Sequence, residues 1–150
     1  MSDELIIKVL ATQIPMFWEA IKYACVQADE IQRENYPEYL NELLHALLSD
    51  KSQCFVRLDE NRILTAVLIT RVMTNKINKK RYLFIQCLYS HKMVSDSIWE
   101  RDWDFVKAFA KSENCSYISF DSGNKRLFEL TQKLGFVEKF RTYHYQLGDI

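Results

Sequence analysis

The chain has 150 residues, 48% of them apolar, and its 20 Lys and Arg balance 20 Asp and Glu. That length buries a full core, while zero net charge supplies no field to steer the chain onto nucleic acid or an anionic membrane. Glycine occurs only at Gly123, Gly135 and Gly148 and there are two prolines, against about 18 of the two together in an average chain, so glycine-built phosphate loops and the G-x-S-x-G elbow are excluded.

The elements follow in chain order without a linker or repeat, which predicts a single domain over residues 1–150. Leu5 to Leu10 is a short β-prone run. Thr12 is then placed to cap a helix with Pro15 in its first turn. Ile14, Phe17, Trp18, Ile21, Ala24, Cys25 and Ala28 form its apolar face. Pro37 opens a second helix, whose stripe runs from Tyr36 and Tyr39 through Leu40, Leu43, Leu44, Leu47 and Leu48. Strands over Cys54–Leu58 and Ile63–Met73 flank the turn Asp59-Glu60-Asn61-Arg62. A second polar turn, Asn75 to Lys80, leads into a strand over Tyr82–Tyr89. These middle strands are apolar on both faces over much of their length, which predicts helices on both sides. A third helix over Ser97–Ser112 carries the stripe Trp99, Trp103, Val106, Ala110. A strand over Tyr117–Phe120, a helix over Asn124–Leu134 and a last strand over Phe136–Leu147 complete the chain. The order β-α-α-β-β-β-α-β-α-β predicts an α/β (α+β) fold with a mixed, mostly antiparallel sheet.

Cys25, Cys54, Cys87 and Cys115 are scattered through apolar segments, the pattern of reduced, buried thiols. His45, His91 and His144 lack metal-ligand spacing, and no metal site is expected. The acidic start Met-Ser-Asp-Glu-Leu is unlike a signal or transit peptide, and the apolar runs are far too short to cross a bilayer. A cytoplasmic protein is the expectation.

The most specific local pattern is Asn124-Lys125-Arg126-Leu127-Phe128-Glu129-Leu130-Thr131-Gln132-Lys133-Leu134-Gly135-Phe136. Together with the element order it resembles the GNAT superfamily, the acyl-CoA-dependent N-acyltransferases, over essentially the whole chain. Gly135 just past a helix is also the expected left-handed cap on physical grounds alone. The resemblance implies a cleft between two splayed parallel strands that takes the pantetheine arm of acetyl-CoA. Leu88, Tyr89 and Asn124 would line it. It further implies a basic, glycine-rich pyrophosphate loop at the start of the third helix, where N–H groups and the helix dipole meet phosphate.

That loop falls at Val94-Ser95-Asp96-Ser97-Ile98-Trp99-Glu100, and it departs from the pattern. Val94 stands at a basic or amide position, and Ser95 and Ser97 replace glycines while keeping hydroxyl donors. Asp96 brings negative charge to the phosphate seat, and Trp99 competes there for space. Thr131 stands where the family often has an acidic tyrosine, and Phe84-Ile85-Gln86-Cys87 holds no carboxylate. Tyr89 is the remaining candidate proton donor.

These departures favour a non-catalytic binding or structural component with an eroded acetyl-CoA site. The resemblance extends in a general way to small GNAT-like proteins of tailed phages, some from virion gene clusters, so a virion role enters with it. The alternative is a divergent acyl-CoA-dependent N-acetyltransferase acting on an amine. A protein partner is expected through the edge strand Phe136–Leu147, with Tyr143 and Tyr145 on one face, or through the basic hairpin Lys76–Arg81. Nucleic acid is not an expected partner.

Overall fold

The computed structural model describes residues 4–29, 33–92, 94–121 and 125–148. Five strands form one sheet in sequence order: β1 (Leu5–Val9), β2 (Ser52–Leu58), β3 (Leu64–Thr74), β4 (Arg81–Ser90) and β5 (Tyr117–Phe120). The first four pair antiparallel, and β5 joins β4 in parallel. Four α-helices are interspersed: α1 (Ile14–Asp29), α2 (Tyr36–Leu48), α3 (Asp96–Ser112) and α4 (Lys125–Lys133). None of the described helices is long and apolar enough to cross a membrane.

Both faces of the sheet are covered, as the doubly apolar strands require. On one face, Cys54, Val56 and Leu58 of β2 join Val67, Ile69 and Cys87 under Ile14, Ile21, Cys25, Leu43 and Leu47 of α1 and α2. On the other, Phe55, Leu68, Leu83 and Ile85 meet Val106 and Ala110 of α3. Alternate residues of β2 therefore serve two separate cores, the period-two logic of a strand. Each fully buried aliphatic side chain contributes about 1.5–3 kcal/mol.

The chain turns without glycine. In the β2–β3 hairpin the Asp59 carboxylate accepts from the backbone N–H groups of Asn61 and Ile63, at 2.8 and 2.9 Å. In the β3–β4 hairpin Asn75 Oδ1 accepts from Ile77 and Asn78. Arg62 and Lys79 occupy the left-handed positions, with φ of 64° and 63°. Side-chain acceptors hold these turns at residues that are not glycine. Gly135 is the exception that needs its freedom: at φ 90° it closes α4. The Phe136 N–H reaches the Thr131 carbonyl and the Gly135 N–H reaches that of Gln132, which is the paired bonding of a Schellman cap.

Two expectations are corrected. Thr12 does not cap α1. A 3₁₀ turn over Ala11–Gln13 precedes the helix, and the Gln13 side chain accepts from the Leu10 N–H at 3.0 Å. Second, Phe136–Leu147 forms no strand and joins no sheet among the described residues. Its alternating side chains suit a strand, yet a strand exists only through a partner edge, and this segment is paired with none among the described residues. Phe136 itself packs on Trp103, ring centroids 4.9 Å apart.

Candidate functional site

β4 and β5 are paired only from Tyr82–Tyr117 to Ile85–Phe120. Beyond that point β5 ends while β4 runs on to Ser90, so the sheet opens along Gln86–Ser90. The opening coincides with a bulge. Thr70 faces Ile85 and Ile69 faces Cys87, which leaves Gln86 without a partner on β3. A bulge bends its strand and frees backbone groups from the ladder. In the sequence Gln86 registers only as a non-carboxylate, because a bulge depends on pairing register and not on residue type.

Strand alternation sends the two β4 candidates to opposite faces. Leu88 lines a small apolar cavity of about 60 Å³ between the sheet and α3 and α4. Phe120, Trp99, Leu130 and Thr131 share that lining, and Arg57 and Asp102 are its charged members. Tyr89 packs on the α1 side instead, against Tyr23 (centroids 5.9 Å) and His91 (5.0 Å), while His91 stacks on Tyr23 at 5.8 Å. A hydrogen bond with Tyr23 raises the Tyr89 hydroxyl above the ordinary tyrosine range, and burial and the nearby Tyr23 charge add to this. Tyr23 joins Tyr89 and His91 only in three dimensions, since α1 and the end of β4 are far apart in sequence.

At the mouth, α3 begins at Asp96 with Ser95 as its N-cap. The Ser95 and Ser97 hydroxyls lie 2.9 Å apart and are exposed. Asp96 does not stand alone there: Lys133, in the last turn of α4, brings its ammonium to 3.6 Å. Trp99 is directed beneath the helix, its ring 5.0 Å from the Arg57 guanidinium carbon. The indole is thus held on the sheet side of α3, with Trp103 and Val106 of the stripe expected to face the core. The Thr131 hydroxyl donates to the Phe128 carbonyl at 2.6 Å, a bond within its own helix. Asn124 lies outside the described residues.

The remaining candidates sit elsewhere. Lys76, Lys79 and Lys80 are exposed at the β3–β4 tip, and Arg81 donates to the Glu113 carbonyl at 3.0 Å. Lys92 pairs with Glu4 at 2.9 Å. Cys25, Cys54 and Cys87 are buried, and burial pushes the Cys54 thiol up to about 12, with Cys25 adding to the shift. Such a thiol is a packing group and not a nucleophile. The buried pair Arg57 and Asp102 is the charged feature that sequence reading passed over, because each residue sits alone within an apolar stripe.

No protein-family model matches the chain, and no curated protein matches it. Solved structures do. An aminoglycoside 6′-N-acetyltransferase from Acinetobacter baumannii superposes with a TM-score of 0.73 at 16% identity, covering 97% of this chain and 99% of that one. A predicted acetyltransferase from Clostridium acetobutylicum, solved with acetyl-CoA, gives 0.73 at 16% identity over 96% of both chains. A ribosomal-protein-alanine N-acetyltransferase from Brucella melitensis gives 0.70 at 13%, covering 97% and 99%. This protein has the GNAT fold, the acyl-CoA N-acyltransferase fold shared by those structures.

Proposed function

We propose that the protein binds an acyl-CoA thioester in the opening between β4 and β5 and passes the acyl group to an amine. The observation that carries this reading is that β5 ends at Phe120 while its parallel partner β4 runs on past Ile85 to Ser90, beside the Gln86 bulge. The outer edge of β4 from Leu88 to Ser90 pairs with no strand among the described residues, and backbone groups at a sheet edge take hydrogen-bond partners. The amides of a pantetheine arm supply them, much as an added strand would. The likeness to a structure solved with acetyl-CoA points the same way.

The residues present fit this cofactor. The α3 N-terminus offers free N–H groups and the positive end of the helix dipole to a pyrophosphate. The Ser95 and Ser97 hydroxyls stand in for the missing glycines, and Lys133 offsets the Asp96 charge. The bound thioester would supply an activated acyl carbonyl. The chain's own contribution is chiefly positioning. As the amine nitrogen bonds to the acyl carbon and the C–S bond breaks, Tyr89 would give its proton to the departing sulfur, Tyr23 stands beside its hydroxyl, and His91 would take the proton lost by the amine.

A non-catalytic binding or structural role on the same fold is the second reading. It is favoured by Asp96 at the helix start and by a Thr131 hydroxyl tied to its own helix. Calorimetry with acetyl-CoA and free CoA separates the two. Micromolar binding of both, tightened severalfold by Asp96→Asn, supports the acyltransferase; no binding at millimolar concentration overturns it and leaves the second reading.

A further inference from the structure

The end of the sheet away from Gln86–Ser90 carries polar residues on otherwise apolar strands. Ser52 and Gln53 open β2, and Arg71 and Thr70 stand opposite them on β3. Ser52, Gln53 and Thr70 are all buried. Buried polar side chains are costly unless hydrogen-bonded, and these bond to their neighbours. The Thr70 hydroxyl donates to Gln53 Oε1 at 3.1 Å, and Arg71 Nε donates to Ser52 Oγ at 3.2 Å. The first bond occupies the Gln53 oxygen and leaves its NH₂ group for other partners. One N–H reaches the Asp50 carbonyl at 3.4 Å, a long contact, and the second meets no acceptor among the described residues. The bond to Ser52 anchors Arg71 through Nε alone, so both terminal NH₂ groups of its guanidinium are without a partner among the described residues.

Gln53 and Arg71 line a groove of about 670 Å³, within the usual size of small-ligand sites. Several of its charges are already neutralised. Lys8 pairs with Asp50 at 3.8 Å, and Arg81 pairs with Glu113 at 3.6 Å. Lys51 and Arg71 also line the groove and meet no carboxylate among the described residues, so two positive charges stay uncompensated. Phe109 and Met73 add an apolar wall. We propose that this groove is a second binding site, for a small organic phosphate whose head meets Arg71, Lys51 and the Gln53 amide while its apolar body rests on Phe109. A phosphate monoester carries close to two negative charges above its second pKa of about 6, which matches the two free cations. The guanidinium suits a phosphate because parallel N–H groups reach two oxygens at once, and the Lys51 ammonium supplies a second point charge. The site is remote from the acyl-CoA opening: Arg81 begins β4 and Ser90 ends it, about 30 Å apart along the strand. Nothing in this groove depends on acyl-CoA binding.

Phenyl phosphate at about pH 8, where its head is doubly charged, is the probe, followed by proton–nitrogen NMR of the whole chain. The expected result is a saturable shift of the Gln53 side-chain amide and the Arg71 Nε–H, complete below about 5 mM. Lys51→Gln, at an exposed position, should weaken binding about tenfold, the effect of losing one charge-assisted hydrogen bond. Arg71→Gln should abolish it, with circular dichroism to verify that the fold is kept. No saturation in the parent, or unchanged affinity in Lys51→Gln, overturns the proposal. Shifts confined to the backbone amides of Ser95–Ser97 also overturn it, since the phosphate then sits at the α3 N-terminus. Phenol separates head from ring: the same Gln53 shift with phenol alone would show that the phosphate is not what is recognised, and would overturn it too. Because the signal is read at Gln53, this result and acetyl-CoA binding stand or fall separately.

Discussion

Arg57 and Asp102 meet inside the core, guanidinium to carboxylate at 2.6 and 2.7 Å, with Arg57 only 2% exposed. The pair ties β2 to α3 across the apolar cavity, and Trp99 covers its guanidinium. Satisfaction is incomplete: among the described residues Arg57 Nη1 has no hydrogen-bond partner, and Asp102 Oδ1 meets only Arg101, at 3.6 Å. Buried pairs of this kind are weak contributors when intact and expensive when halved. Asp102→Ala is therefore expected to cost about 3–5 kcal/mol in urea unfolding. The double replacement Arg57→Met/Asp102→Leu should recover most of that loss. A single variant of parental stability would show that the pair is not the constraint described.

Gly135 sits at φ 90° with open space where a Cβ would stand. The penalty for a side chain is thus purely conformational, about 1–2 kcal/mol, and is partly offset by a stiffer unfolded chain. Gly135→Ala should lower stability by about 1 kcal/mol, or about 2–4 °C in thermal melting for a chain this size.

The Cys54 thiol is lifted from 9.0 to about 12 by burial, with Cys25 adding to the shift. A folded-state value above the unfolded one means the unfolded chain loses its proton first as pH rises. Stability from this group is complete below pH 9 and declines toward pH 12. At pH 10.5 the loss is about 2 kcal/mol. Cys54→Ala should show a smaller drop between pH 8 and 10.5 than the parent, measured by urea unfolding at both values.

Tyr89→Phe removes the hydroxyl bonded to Tyr23 while keeping its ring against Tyr23 and His91. If the amine acetylation proposed above occurs, kcat should fall about 10²–10⁴-fold with CoA affinity unchanged. Loss of affinity instead of turnover would move Tyr89 from proton donor to binding residue.

Much of the fold was legible because its signals are local. The stripes of α2 and α3 recur every three or four residues, and each is visible within one helix. The β2–β3 turn needs only Asp59 and its next four residues, and the α4 cap needs only Thr131 through Phe136. Departures from the family loop at Ser95, Asp96 and Ser97 were equally readable, since they are statements about composition at known positions.

The surroundings of these positions come from residues distant in sequence. Lys133 reaches Asp96 from the far end of α4, and Arg57, 45 positions before Asp102, draws Trp99 beneath α3. The β4–β5 opening and the Gln86 bulge arise from register, which no single strand encodes. The clearest failure, the last strand, has the same origin. Phe136–Leu147 alternates as a strand should, but pairing requires an edge at hydrogen-bonding distance. Sequence alone determined which segments prefer which backbone, because that preference is a property of neighbouring side chains. Only tertiary structure decided which segments meet, because a contact's energy depends on where the rest of the chain has placed its partner.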